Sequence, residues 1–432
     1  MSTDDAQAPF RAAGISDVRS PTRSDIPTRP MEIVIYSMNK TGYVMKCENG
    51  RNTTVAEVHQ RMMKTLQLPN IYGPVFALWM TSPLLQVQLK SDQRPSRIRK
   101  QWKAMLAKFT TAAILEMETD EPVLSFQRNV FLPIDVEEKI ADREVVKLLY
   151  EEAVQNVVKY RYPTAKAKCI SLAAIQAKIE HKAVTLEIVK ESVERLLPVH
   201  YRYANRWMSR IKEDEKLAAQ VVGECRGTEE VRDDVTCMKK YLAECREFPF
   251  YGSIFFYGQI QHERTRFVGQ RKDRRVRVAI NYTHLHVIDV LTNEIIVGVS
   301  LDEMRWDFHP AKSIGDHVFS SFFIEFDCEF NFSHQKVCHQ MQIFTRQAAM
   351  MDAMVDRCAN GLGRREFDDM VERMEQATAE QSDCRSELGC FKRGASIHSQ
   401  HLVNKVKVDR INEDGSLISP KRSSRRQQPA AS

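Results

Sequence analysis

Chemistry at a protein surface starts with reactive side chains at workable spacing. His284 and His286 alternate along one strand-like run, so both rings point to one face. Two imidazoles placed that way can share a metal ion, but a structural zinc site needs four ligands and a catalytic one three. No third ligand lies close in sequence. A looser set, Cys328, His334, Cys338 and His339, has no ligand spacing. Both sets read as ordinary strand residues. The chain contains no G-x-x-x-x-G-K-[ST], no G-x-S-x-G and no H-E-x-x-H. No catalytic residue, metal or cofactor is therefore assigned, and an enzyme is not expected.

Binding chemistry is more legible. FPFYGSIFFYG, 248–258, packs six aromatics into ten positions, out of 36 in the whole chain. Such a run can stack single-stranded bases, or it can fill a core. Charge argues for the core. The net +6 sits in the last 42 residues, where nine Lys/Arg face three Asp/Glu; the rest of the chain balances. A neutral body is not a nucleic-acid surface, and no nucleic-acid partner is expected. A local basic cluster, Arg264, Arg266, Arg271, Lys272, Arg274, Arg275 and Arg277, lies between two predicted strands. Its alternatives are a solvated hairpin and a site for anionic lipid headgroups. A second basic run spans 90–103. In the tail, Ser396, Ser423 and Ser424 follow basic residues in the pattern of kinase substrates. Phosphorylation there would add negative charge, weakening membrane attraction or recruiting a phosphoserine reader.

Compartment follows from what is missing. The N-terminal residues lack the apolar core of a secretory signal, and no apolar run reaches the roughly 18 residues of a membrane helix. Ten scattered cysteines form no C-x-x-C pair. These features predict a reduced, cytoplasmic chain whose four sequons stay unmodified.

The elements that must position these residues fall into three groups. After a polar arm, 1–29, come two short strands (31–37 and 42–48). A helix with Val55, Val58, Met62, Met63 and Leu66 at helical spacing follows, then two more strands, a short helix and a closing strand. That order predicts a ubiquitin-like unit over 31–133. Residues 134–247 show only helical periodicity, in four or five helices. Residues 248–362 give six or seven strands and then one helix, with apolar residues at 348, 351, 354, 355, 358 and 362. A further amphipathic helix is expected near 363–381, with Phe367, Met370, Val371 and Met374 on one face. The basic tail, 382–432, is expected to be disordered.

Three stretches carry a family resemblance. VFALWMTSPLLQVQLK (75–90), SFQRNVFLP (125–133) and LLYEEAVQNVVKYRYP (148–163) resemble, in that order, motifs of the FERM domain. The resemblance spans about 330 residues, 31–360. It implies a multidomain α+β fold with a ubiquitin-like lobe, an all-helical lobe like acyl-CoA-binding protein, and a PH/PTB-like lobe. The aromatic run would then be the join into the third lobe and its first strand. The resemblance also implies a non-enzymatic adaptor, cytoplasmic and peripheral at the plasma membrane. Its partner would be the cytoplasmic tail of a membrane protein, of the iRhom type, stabilising an iRhom–sheddase complex. A Wnt co-receptor tail, with a negative effect on signalling, is a second implied partner. In such a third lobe a peptide adds a strand beside the C-terminal helix. The residues expected to form that groove are Met304, Trp306, Phe308, Met351, Met354 and Val355; the alternative is that Trp306, Met351 and Met354 simply fill the lobe's core. The alternative is a phosphoinositide-dependent link between membrane and cytoskeleton.

Overall fold

A computed structural model describes residues 29–181, 183–202, 210–227, 233–261, 273–310, 320–329, 336–361 and 364–383. The first lobe is a five-stranded sheet in the order β2-β1-β5-β3-β4. Its strands are β1 (Met31–Ser37), β2 (Gly42–Cys47), β3 (Phe76–Thr81), β4 (Gln86–Gln88) and β5 (Val123–Arg128). β1 and β5 run parallel, which needs a long crossover; the other pairs are antiparallel. α1 (Val55–Thr65) lies in that crossover and buries Val55, Val58, Met62 and Met63. Its start is fixed by a capping box between Thr54 and Glu57, both bonds at 3.3 Å. α2 (Pro95–Phe109) is longer than the short helix expected there because Pro95 occupies the first helical position. It buries Trp102 and Leu106, and the Trp102 indole donates to Asp120 at 2.8 Å. The one-and-a-half-turn α3 (Ile114–Thr119) leads into β5.

The short α4 (Ile134–Glu137) opens the helical lobe. α5 (Arg143–Val158), α6 (Lys166–Glu180), α7 (Leu186–Leu196), α8 (Val199–Arg202), α9 (Arg210–Gly227) and α10 (Asp234–Arg246) complete it. α6 is buried on most sides around Leu172, Ala173, Ala174 and Ala177; a helix without a wet face belongs at the centre of its lobe. α9 carries no expectation from sequence periodicity, because a charged first half masks the apolar face formed by Leu217, Ala218, Val221 and Val222.

The third lobe is a seven-stranded antiparallel sheet in the order β10-β11-β12-β6-β7-β8-β9. These are β6 (Ile254–Ile260), β7 (Arg274–Ile280), β8 (His284–Asp289), β9 (Ile295–Ser300), β10 (Met304–His309), β11 (Ser321–Glu329) and β12 (Lys336–Phe344). Its turns are made by side chains that replace backbone partners. Asn281 accepts from the amides of Thr283 and His284, and Asp289 from those of Leu291 and Thr292. β12 and β6 meet at a single residue pair, Phe344 with Gln259, and the Thr345 hydroxyl extends the join by donating to the Tyr257 carbonyl at 2.5 Å. β9 and β10 are consecutive in the chain yet form opposite edges of the sheet. α11 (Ala348–Ala359) closes the barrel by burying Ala348, Met351, Met354, Val355 and Cys358. Gly361, at a left-handed φ of 61°, ends it. α12 (Arg364–Asp383) follows. Among the described residues no helix is long and apolar enough to cross a membrane.

The aromatic run is core. Phe248, Phe250, Tyr251 and Phe256 are buried and Phe255 is half-buried; only Tyr257 stands out, at 59% exposed. One outward ring is no platform for stacking successive bases.

Candidate functional site

β10 is an edge strand. It pairs with β11 from Met304 with Phe326 to His309 with Ser321, and its other side has no strand partner among the described residues. Alternation puts Met304, Trp306 and Phe308 on one face and Arg305, Asp307 and His309 on the other, which is exposed. Met304 is buried, while Trp306 and Phe308 are only half-buried and pack against the core cluster. The Trp306 indole donates to Asp352 of α11 at 3.2 Å, which pins the ring between strand and helix. This leaves a row of main-chain groups beside two partly open aromatics.

The six residues expected to line a groove come together here but not in equal roles. Met351 and Val355 are 0% exposed, and Met354 and Met304 are nearly as enclosed. They lie underneath, holding α11 on the barrel, because their helical spacing serves the lobe's own core. Trp306 and Phe308, with Asp352 and the half-buried Met350, are what a partner can reach.

The basic cluster is also redistributed. Arg264, Arg266, Arg271 and Lys272 lie outside the described residues. Arg274, Arg275 and Arg277 belong to strand β7, not to a turn. Arg274 pairs with Asp289 and, at 3.8 Å, with Glu294. Arg277 donates to Asn293 at 2.9 Å and lies over the Phe255 ring, and burial pushes its guanidinium below the usual value. Two of the three cations are thus engaged inside the lobe; Arg275 is exposed. Ser396, Ser423 and Ser424 lie outside the described residues.

The histidines do not converge on a ligand. The rings of His284 and His286 stack at 5.8 Å, and His286 meets Phe250 edge-on. Burial, then the neighbouring His284, push the His286 ring down to about 3, so it is neutral. His339 stacks on Phe326, and the Cys338 thiol donates to Glu325 at 3.2 Å. His334 lies outside the described residues. Among those described, no group of three or more His, Cys, Asp or Glu is placed to hold a metal ion.

A polar node that sequence reasoning missed fixes where the groove sits. Glu137, between the first two lobes, is buried. It accepts from Arg128 Nε of β5 at 2.7 Å, from Arg246 of α10 at 3.0 Å and from the Tyr251 hydroxyl at 2.6 Å. Burial works against its charge, but Arg128, Arg246 and the Tyr251 hydroxyl outweigh burial and hold the carboxyl below its usual range. Arg128 also donates to the carbonyls of Asn129 and Leu132. Gly252, at φ 69°, lets the backbone pass; a Cβ there would stand 2.8 Å from Arg128 Nη1. All three lobes contribute to this node. No local pattern announces it, since its members are spread over more than a hundred residues.

Comparison with known proteins agrees with this architecture. Residues 135–256 match the FERM central domain, and 274–354 match the C-lobe model described as KRIT1/FRMD8, FERM domain C-lobe. The chain is 29% identical to human FERM domain-containing protein 8 over 92% of its length and 89% of the relative's. It is 30% identical to the mouse protein over 78% of its own length and 74% of that protein's. Two solved structures share the fold at low identity. Human myosin 7b MyTH4-FERM, in complex with a harmonin-a PDZ3 domain, aligns with a TM-score of 0.51 at 15% identity, over 77% of this chain and 60% of that one. The FERM and C-terminal domain complex of Drosophila merlin aligns at 0.50 and 12% identity, over 81% and 99%. Lobe order, sheet topology and these matches lead to one conclusion: the chain belongs to the FERM domain-containing protein 8 family.

Proposed function

We propose that this chain is a non-enzymatic adaptor that holds the cytoplasmic tail of a membrane protein along β10. It would act at the cytoplasmic face of the plasma membrane. The open β10 edge, flanked by half-buried Trp306 and Phe308, carries the reading. An added strand gains affinity from main-chain bonds, and side chains seated on the two rings supply selectivity. The family resemblance points to an iRhom-type tail, with stabilisation of its sheddase complex as the outcome, and to a Wnt co-receptor tail as a second partner. Phosphorylation of the basic tail would then tune membrane attraction.

The test is direct binding of the full chain to a labelled iRhom cytoplasmic tail. Phe308→Asp puts a charge on the groove wall and is expected to weaken binding by at least about tenfold. Arg275→Glu should leave it unchanged. Equal affinity in Phe308→Asp and the parent moves the site off β10. The phosphoinositide reading replaces the adaptor if vesicles containing anionic phosphoinositide are bound, the tail is not, and Arg275→Glu abolishes vesicle binding.

A further inference from the structure

The segment matched to the C-lobe ends at residue 354, and α12 lies beyond it. Beyond its first turn, which lies near Tyr282 of the third lobe, α12 leaves that lobe. It turns back and packs on the 3-10 segment Asn70–Val75 of the first lobe. Arg364 grips Asp135 with both prongs, at 3.2 and 2.7 Å. Farther along, Glu375 reaches Lys139 at 3.9 Å. Asp135, in α4, and Lys139, just after it, lie on the stretch that connects the first lobe to the long helix α5 of the second. Phe367 and Met370 are buried between these clasps, with Val371 and Met374 half-buried on the same face. Glu366, Asp369 and Glu372 face solvent.

The attachment is thin for its length. Within Arg364–Gln376, where exposure is described, two side chains are fully buried, whereas the shorter α11 buries five. The Lys139–Glu375 clasp is open to water, and the Arg364–Asp135 clasp is half-open. Elements with few buried apolar contacts open well before the whole molecule unfolds.

We propose that α12 is a releasable strap that occupies, in cis, a helix-docking groove formed by Asn70–Val75 and the Asp135–Lys139 connection. The groove fits an amphipathic helix carrying an arginine, an aromatic three residues on and a methionine three further, the pattern of Arg364, Phe367 and Met370. Its release uncovers the joint of the first two lobes and leaves each lobe folded.

Hydrogen–deuterium exchange on the full chain tests this. Amides of α12 should exchange at least about tenfold faster than those of α5. Asp135→Arg should speed α12 exchange by a further factor of about five, and adding Arg364→Asp should restore it. In the Phe367→Asp chain the groove stands open. A labelled peptide of residues 364–383 should bind that chain, slow exchange at 70–75 and 134–140, and fail to bind the parent. Exchange of α12 in step with α5 means that it opens only on global unfolding, and overturns the proposal. So does a folded Phe367→Asp chain that ignores the peptide. So does a Phe367→Asp chain that does not fold, because the lobes then depend on α12.

Discussion

At the scale of single residues, burial decides chemistry more than identity does. His286 is 7% exposed with an unpartnered Nδ1, beside a glycine whose Cβ would crowd the ring at 3.0 Å. Its folded value, about 3, lies below the free value of 6.5. The unfolded chain therefore takes up a proton that the folded chain refuses. The contribution of His286 is complete above pH 6.5 and is lost as pH falls toward 3. His286→Leu is expected to remove up to about 1.4 kcal/mol per pH unit from the acid-side slope of stability. Urea titrations between pH 7 and pH 5 measure it, and an unchanged slope would show that the ring is not the titrating group. The sequence placed His284 and His286 on a common strand face. Whether that face was wet or dry depended on Phe250 and Gly298, which are distant in sequence.

At the scale of elements, legibility tracks local signals. α1 was readable because a Thr cap and the apolar stripe lie within one short window; the structure adds Glu57 as the other half of the capping box. Thr54→Ala leaves the Glu57 amide without its acceptor and should cost about 1 kcal/mol. A denaturation midpoint reports this, and no shift would mean that water replaces the cap. α9 was unreadable because its apolar face occupies only the second half of a charged helix. α11 illustrates a different limit. Its periodic apolar positions were found, but periodicity does not distinguish a core face from a docking face. Met351, Met354 and Val355 belong to the first kind. β10 was recognisable as a strand from its own residues, but its place at the sheet edge was expected only from the family resemblance, and the sheet order puts it there.

At the scale of the whole molecule, Glu137 sets the behaviour. Glu137→Gln would leave the buried Arg128 and the half-buried Arg246 against a neutral amide, at an expected cost of about 3–5 kcal/mol. Gly252→Ala, which meets Arg128 at 2.8 Å in a left-handed conformation, should cost about 1–3 kcal/mol through the same joint. Calorimetry of the full chain tests both. One transition is expected for the parent, and a split or earlier one for Glu137→Gln; superimposable traces would show that the lobes stand without the node. Lobe order was legible because each lobe has its own periodicity. The joint was not, because it is made from residues that share no window. Its make-up has a consequence for how such a chain can be cut or recombined. Arg128, Arg246, Tyr251 and their shared carboxylate lie on different sides of every lobe boundary. A fragment ended after the first lobe keeps Arg128 without its carboxylate, and the helical lobe alone keeps Glu137 without Arg128. Exchange of a single lobe between relatives is therefore expected to preserve the joint only when donor and recipient match at these four positions.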